Sequence, residues 1–244
     1  MRKKFAVLSF VSLLLFSCKK STTANCNLTS FPSKAGNSWT YVQTILSDYN
    51  TIRDTTIYDT IHLSVVKDTI YDGKTMQKIE CYSNKNPYKS FAVCVNENSS
   101  FVQYISEPGF ISQLLRVKKP TPHEGGILEL GKIAEPDSTI SIILKFNTDN
   151  WIYRENDLVK IEKENMGEAT ITTPKGTFQC CKYQLNYIRK FFPQSIEITE
   201  FFSEKGLVKK INNSFNVDFT DGTGNLIDTG NRYESIELID YTLL

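Results

Sequence analysis

Residues 60–71 read TIHLSVVKDTIY, residues 72 and 73 are Asp-Gly, and residues 75–83 read TMQKIECYS. In the first segment Ile61, Leu63 and Val65 alternate with more polar residues. That is the two-residue period of a half-buried strand. Asp-Gly between two such segments signals a type I′ hairpin, whose central residues both need positive φ. The stretch therefore predicts two antiparallel strands joined by a two-residue turn.

The same reading extends outward. Residues 38–47 (SWTYVQTILS) open the pattern with aromatic and β-branched residues, and residues 90–95 and 100–105 form a second pair across residues 96–99. In 139–146, Ile140, Ile142, Leu144 and Phe146 share one face. Residues 151–165 and 168–173 continue less regularly. Pro174 and Gly176 supply turn chemistry before 178–188, where Cys181, Tyr183, Leu185 and Tyr187 alternate inward. Residues 195–202, 207–215 and 233–243 complete the strands, and Gly222-Thr223-Gly224 reads as a loop. The one helical candidate is residues 107–118, ended by Pro120 and Pro122, with an exposed loop or internal boundary over 122–126. Regular short strands with turn signals predict an all-β fold: a single curved antiparallel sheet forming an open half-barrel or a sandwich, with at most one or two short helices.

Composition narrows the function. Of 244 residues, 40% are hydrophobic and 23% charged, ordinary for a globular chain. A net charge of +1 supplies no global field for nucleic acid, and two histidines exclude a zinc site built from three.

The N-terminus reads as an address. Arg2, Lys3 and Lys4 precede an apolar run from Phe5 to Phe16. Twelve helical residues rise about 18 Å, short of a ~30 Å hydrocarbon core, so the run is a signal-peptide segment rather than a membrane span. Leu15-Phe16-Ser17-Cys18 resembles the lipobox of bacterial lipoproteins. The resemblance implies cleavage after Ser17 and acylation of Cys18, with palmitate-type chains anchoring the protein to a membrane. Lys19 rather than Asp after the cysteine implies the outer membrane, and the lack of an acidic export signal in residues 19–23 implies its periplasmic face. The domain reading is signal peptide 1–17, lipidated Cys18 with a flexible tether to residue 30, and a β domain over 31–244.

With Cys18 assigned to lipid, Cys26, Cys81, Cys94, Cys180 and Cys181 remain, so at least one lacks an intramolecular partner. A symmetric hairpin about residues 84–87 sets Cys81 opposite Ser90, not Cys94. Cys180 and Cys181 point to opposite faces of one strand, against a bridge between them. All four are expected as small buried apolar residues.

Phe31-Pro32-Ser33-Lys34-Ala35-Gly36-Asn37-Ser38-Trp39-Thr40-Tyr41, with Thr173-Pro174-Lys175-Gly176-Thr177-Phe178 and Gly206-Leu207-Val208-Lys209, resembles an uncharacterised Gram-negative lipoprotein family. That family carries P-x-x-x-G-N-x-W-x-Y, T-P-x-G-T-F and G-L-V-K motifs and brings no assigned activity. More loosely, the pattern is similar to periplasmic lipoprotein-carrier half-barrels, which enclose a hydrophobic cavity. Trp39 and Tyr41 are expected as core anchors.

The search for chemistry ends in ordinary structure. His62, in register with Thr60 and Ser64, reads as a partly exposed strand histidine; no G-x-S-x-G accompanies it. His123-Glu124 begins an H-E-x-x-H but lacks the second histidine. Glu197, Glu200 and Glu204 read as a solvated hairpin face, and Lys209-Lys210 beside Phe201 and Phe202 as a pair too small for nucleic acid. Thr55, Thr60, Thr69 and Ser138 each follow Asp, a pattern resembling an O-glycan acceptor. The expectation is a non-catalytic envelope lipoprotein without a cofactor. It would bind an apolar small ligand or lipid, or serve as a protein-interaction module of an envelope assembly.

Overall fold

The computed structural model describes residues 26, 28–49, 52–53, 57–85, 87–106, 141–146, 148, 150–155, 159–189, 195–220 and 225–244. The strands are β1 (Ser38–Tyr49), β2 (Ile52–Arg53), β3 (Ile57–Tyr71), β4 (Lys74–Ser83), β5 (Ser90–Glu97), β6 (Ser100–Ser106) and β7 (Ser141–Lys145). The second half contributes β8 (Asn150–Glu155), β9 (Val159–Thr173), β10 (Gly176–Arg189), β11 (Ser195–Ser203), β12 (Gly206–Thr220) and β13 (Leu226–Thr242). The predicted helix at 107–118, the loop at 122–126 and the glycine loop at 222–224 lie outside the described residues.

All the strands belong to one antiparallel sheet, in the order β7-β6-β5-β4-β3-β1-β13-β12-β11-β10-β9-β8, with β2 beside β1. This is an up-and-down path in which the first long strand pairs with the last. It curls until its two ends, β7 and β8, face each other, so the sheet is a nearly closed barrel. Turn chemistry sets the registers. Asp72 (φ 48°) and Gly73 (φ 72°) both take positive φ, as a type I′ turn requires. Asn98 (φ 48°) and Ser99 (φ 56°) do the same between β5 and β6. Cys81 pairs with Ser90 as the symmetric hairpin predicted, and Cys94 pairs with Gln77. In β7 the expected face is partly overturned: Ile143 as well as Leu144 is buried, and Ile142 is only partly so.

Residues 26 and 28–37 cross one end of the barrel as a cap. Cys26, Leu28 and Phe31 are buried in the main core. Phe31 stacks on Phe101 with ring centroids 4.3 Å apart and leans on Trp39 at 5.5 Å. Its backbone N–H donates to Asn96 Oδ1, and Asn96 Nδ2 donates back to the Phe31 carbonyl. Asn37 closes the cap, accepting at Oδ1 from the backbone N–H of Leu244 and donating from Nδ2 to the Pro32 carbonyl. Trp39 and Tyr41 are core anchors as expected, at 1% and 0% exposure. Trp39 Nε1 donates to the Lys205 carbonyl at 2.6 Å. A Cβ at Gly206 (φ +101°) would stand 3.0 Å from that indole nitrogen, so the turn needs glycine for both its backbone and its space.

Cys26 is bridged to Cys181, 155 residues away, with Cα atoms 5.5 Å apart. This corrects the expectation that Cys181 is a plain buried thiol. The opposite-face argument was sound in itself: Cys181 points into the main core, where it meets the cap. Cys180 points away, into a small cluster with Phe201 and Val208. Among the described residues, Cys81, Cys94 and Cys180 are buried and form no disulfide. Within the stretch expected as tether, Cys26 and Leu28 are buried against the barrel. In the chain-entropy view, closing so long a loop contributes up to about 5 kcal/mol. The double change Cys26→Ser with Cys181→Ser is expected to cost about 2–5 kcal/mol in urea unfolding; an unchanged midpoint would show that the cap is held without it.

Candidate functional site

On β1, β13 and β12 the inward-facing positions grade from apolar to polar away from the cap, while β10 and β11 keep Leu185, Ile198 and Ile196 buried there. On β1 the order is Trp39, Tyr41, then Gln43, Ile45, Ser47; on β13 it is Leu238, Ile236, then Glu234, Arg232; on β12 it is Leu207, then Lys210, Asn212, Ser214. All are buried. Two-residue alternation places these side chains inside.

The centre of this interior is ionic. Lys163 on β9 is 0% exposed, and Glu200 on β11 and Lys210 on β12 are each 2%. Lys163 Nζ donates to Glu200 Oε2 at 2.5 Å, and Lys210 Nζ lies 3.3 Å from Glu200 Oε1. Lys163 Nζ also donates to the backbone carbonyl of Ile143 on β7, at 2.9 Å. The ring centroids of Phe202, Tyr183, Trp151 and Tyr153 stand 5.1, 5.2, 5.7 and 5.9 Å from the ammonium. The cation is thus held by a carboxylate, a carbonyl and aromatic rings. It links β9, β11 and β7, and so spans the gap between the sheet's two ends. Trp151 Nε1 on β8 donates to the Ile142 carbonyl at 3.0 Å across the same gap.

Burial alone would raise the Glu200 carboxyl, but the ammonium groups of Lys163 and Lys210 and their hydrogen bonds outweigh it and hold the group below its ordinary value. Burial pushes the Lys163 ammonium below its ordinary range; Glu200 opposes that shift and Lys210 adds to it. Burial also raises the Tyr183 hydroxyl to about 12, with Glu200 contributing.

Glu234 is tied on one side, its Oε1 accepting from Gln43 Nε2. Its Oε2 has no protein partner, nor has Asn212 Oδ1, nor have Gln103 Oε1 and the Tyr41 hydroxyl. Asn212 and Glu234 are directly paired across β12 and β13. Directly opposed residues hold their Cβ atoms about 4.5–5.5 Å apart.

A separate cavity of about 380 Å³ lies between the cap and the β9–β10 and β11–β12 hairpins. Leu28, Ser30, Glu168, Gln179, Cys180 and Phe202 are among its walls, a mixed rather than an apolar lining. Burial pushes the Cys180 thiol up to about 12, which makes it a poor nucleophile there.

The structure sorts the sequence-derived candidates. Glu197 and Glu204 are exposed, as expected. Glu200 overturns the expectation of a solvated face, because it shares the parity of Ile196, Ile198 and Phe202, all buried. That parity was the available signal. Lys209 and Lys210 part company in the same way: Lys209 faces out and pairs with Glu237 at 2.6 Å, while Lys210 faces in. His62 is half-buried, stacked on Tyr82 at 4.7 Å and 3.4 Å from Thr40 Oγ1 through Nδ1. Thr60 and Thr69 sit half-buried on β3. Cys18, His123, Thr55 and Ser138 lie outside the described residues. No group of three or more His, Cys, Asp and Glu side chains placed to hold a metal occurs among the described residues. Lys163, on β9, shares the inward parity of buried Ile161, and that is the one signal its sequence context holds.

No family model and no curated protein matches the chain. Two solved structures are similar to it. One, from Parabacteroides distasonis, is described as a "putative lipoprotein"; identity is 14% and the TM-score 0.39, over 87% of this chain and 97% of that one. The other, from Bacteroides fragilis, is described as a "putative exported protein with YmcC-like fold"; identity is 13% and the TM-score 0.41, over 89% of this chain and 100% of that one. At these TM-scores neither assigns a residue or an activity to this chain.

Removing the shared anion takes the carboxylate from two buried cations. Glu200→Gln is expected to cost about 3–5 kcal/mol. A carboxyl held below its ordinary 4.5 in the folded state supports folding above that value and loses its contribution as pH falls through the folded value. Acid titration of unfolding should therefore show a shallower loss of stability below pH 4.5 in Glu200→Gln than in wild type; parallel curves would contradict the ion cluster.

Proposed function

We propose that the protein is an envelope lipoprotein held at the periplasmic face of the outer membrane through acylated Cys18, non-catalytic, and acting through its outer surface on a partner protein. The lipobox-like segment and the basic, apolar leader support the anchor. The Cys26–Cys181 bridge supports an oxidising compartment.

One observation carries the choice of a surface over a cavity. The interior is occupied by the protein's own side chains, aromatic beneath the cap and ionic around Lys163. An apolar ligand or lipid would have to displace a desolvated Lys–Glu–Lys cluster. The end of the barrel opposite the cap exposes Leu46 (41%), Tyr88 (84%) and Leu226 (62%), and offers the partner apolar contacts.

Native mass spectrometry of residues 19–244, purified from a periplasm without detergent, is expected to give the bare protein mass. Photo-crosslinking from position 88 in native membranes is expected to trap a discrete protein partner. A lipid released on denaturation, with no crosslinked protein, would restore the carrier reading.

A further inference from the structure

The disulfide determines more than stability. If Cys18 carries the lipid, Cys26, which the disulfide fixes to the barrel, is only eight residue steps away. A fully extended chain of that length spans about 29 Å at most. β9 alone has 15 residues, roughly 50 Å of strand at 3.3 Å each, so the tether is shorter than the barrel wall.

The cap enters at the end that carries the β3–β4, β5–β6, β9–β10 and β11–β12 turns and the C-terminus. At that end β3 runs well past its neighbour: β1 begins at Ser38, opposite Ser64, while β3 continues to Tyr71. The projecting tip exposes apolar residues, Tyr71 leaning on Tyr104 with ring centroids 6.2 Å apart. Ile70 is 78% exposed and Tyr71 39%, and the C-terminal Leu244 at the same end is 70% exposed. Lys67 and Lys74 flank the tip, but so do Asp68 and Asp72, so charge does not decide what it meets. An exposed isoleucine beside a tyrosine suits the boundary between headgroups and acyl chains, where amphipathic rings and apolar side chains settle together.

We infer that the capped end is the membrane-facing end of the barrel, and that the β3–β4 tip, through Ile70 and Tyr71, inserts into the lipid surface. The inference rests on the lipid anchor proposed above. The bridge between Cys26 and Cys181 makes the orientation possible, because it draws the anchor in to the capped end. The opposite end is then presented away from the bilayer, where a partner would find it.

The test uses the full-length lipidated protein in vesicles of phosphatidylethanolamine and phosphatidylglycerol. An environment-sensitive fluorescent residue is placed at position 70 or at position 88, both exposed in the structure. Emission from position 70 is expected to shift to the blue on reconstitution and to be quenched by headgroup spin-labelled lipid, with neither change at position 88. Vesicle-bound protein in which position 70 stays in water, or in which position 88 responds as strongly, would overturn the orientation and leave the anchor standing. Protein that remains in the supernatant would overturn the anchor, and the orientation with it. A position-70 signal that appears only when a membrane protein is added to the vesicles would overturn the lipid contact in favour of a protein one.

Discussion

The ammonium of Lys163 is the tie on which the closed shape depends. An antiparallel sheet can curl without limit on backbone hydrogen bonds alone, but its two edge strands must then be satisfied or paired. Here, among the described residues, β7 and β8 face each other without forming a ladder. Lys163 reaches under the gap to the Ile143 carbonyl while holding Glu200 on β11, and Trp151 reaches across to the Ile142 carbonyl. Desolvating a lysine is costly, and the carboxylate, the carbonyl and the aromatic rings offset part of that cost. A second lysine on the same carboxylate makes Glu200 the hub of the cluster. Removing it therefore harms more than removing any one donor.

The cap closes the other weakness of a wide barrel, its open mouth. Phe31 fills it against Phe101 and Trp39, and Cys26 fastens it to β10. The three sequence motifs of the opening, the Thr-Pro turn and the Gly-Leu-Val-Lys strand meet here. Trp39 donates to Lys205 beside Gly206, while Lys175 pairs with Asp240 and Phe178 packs on Tyr241. Their common task is to build one end of the barrel. Under that end the core is aromatic; beyond it β12 and β13 turn polar, while Ile45, Leu185, Ile196 and Ile198 stay buried and apolar.

Much of this was legible in the residues. Asp72-Gly73 announced its hairpin, the turn at 84–87 fixed Cys81 opposite Ser90, and the aromatic pair Trp39 and Tyr41 announced a core face. Three features were not legible, each for a physical reason. The Cys26–Cys181 contact joins residues 155 apart, and no local pattern encodes a meeting that depends on the whole sheet curling. Glu200 has inward parity, but its charge argued for solvent, and only Lys163 and Lys210 on other strands remove the contradiction. The gap at β7 and β8 follows from where the path ends, which strand propensity does not determine.

The most direct test of this account is hydrogen exchange measured residue by residue on wild type and on Lys163→Met. The methionine keeps the side chain's bulk among the rings and removes the charge and the donor. If Lys163 ties the sheet's ends, the amides of β7 and β8 should lose protection selectively, while those of the β3–β4 hairpin keep theirs. Protection that is unchanged everywhere, or lowered evenly over the whole sheet, would contradict the claim that one buried cation closes the barrel.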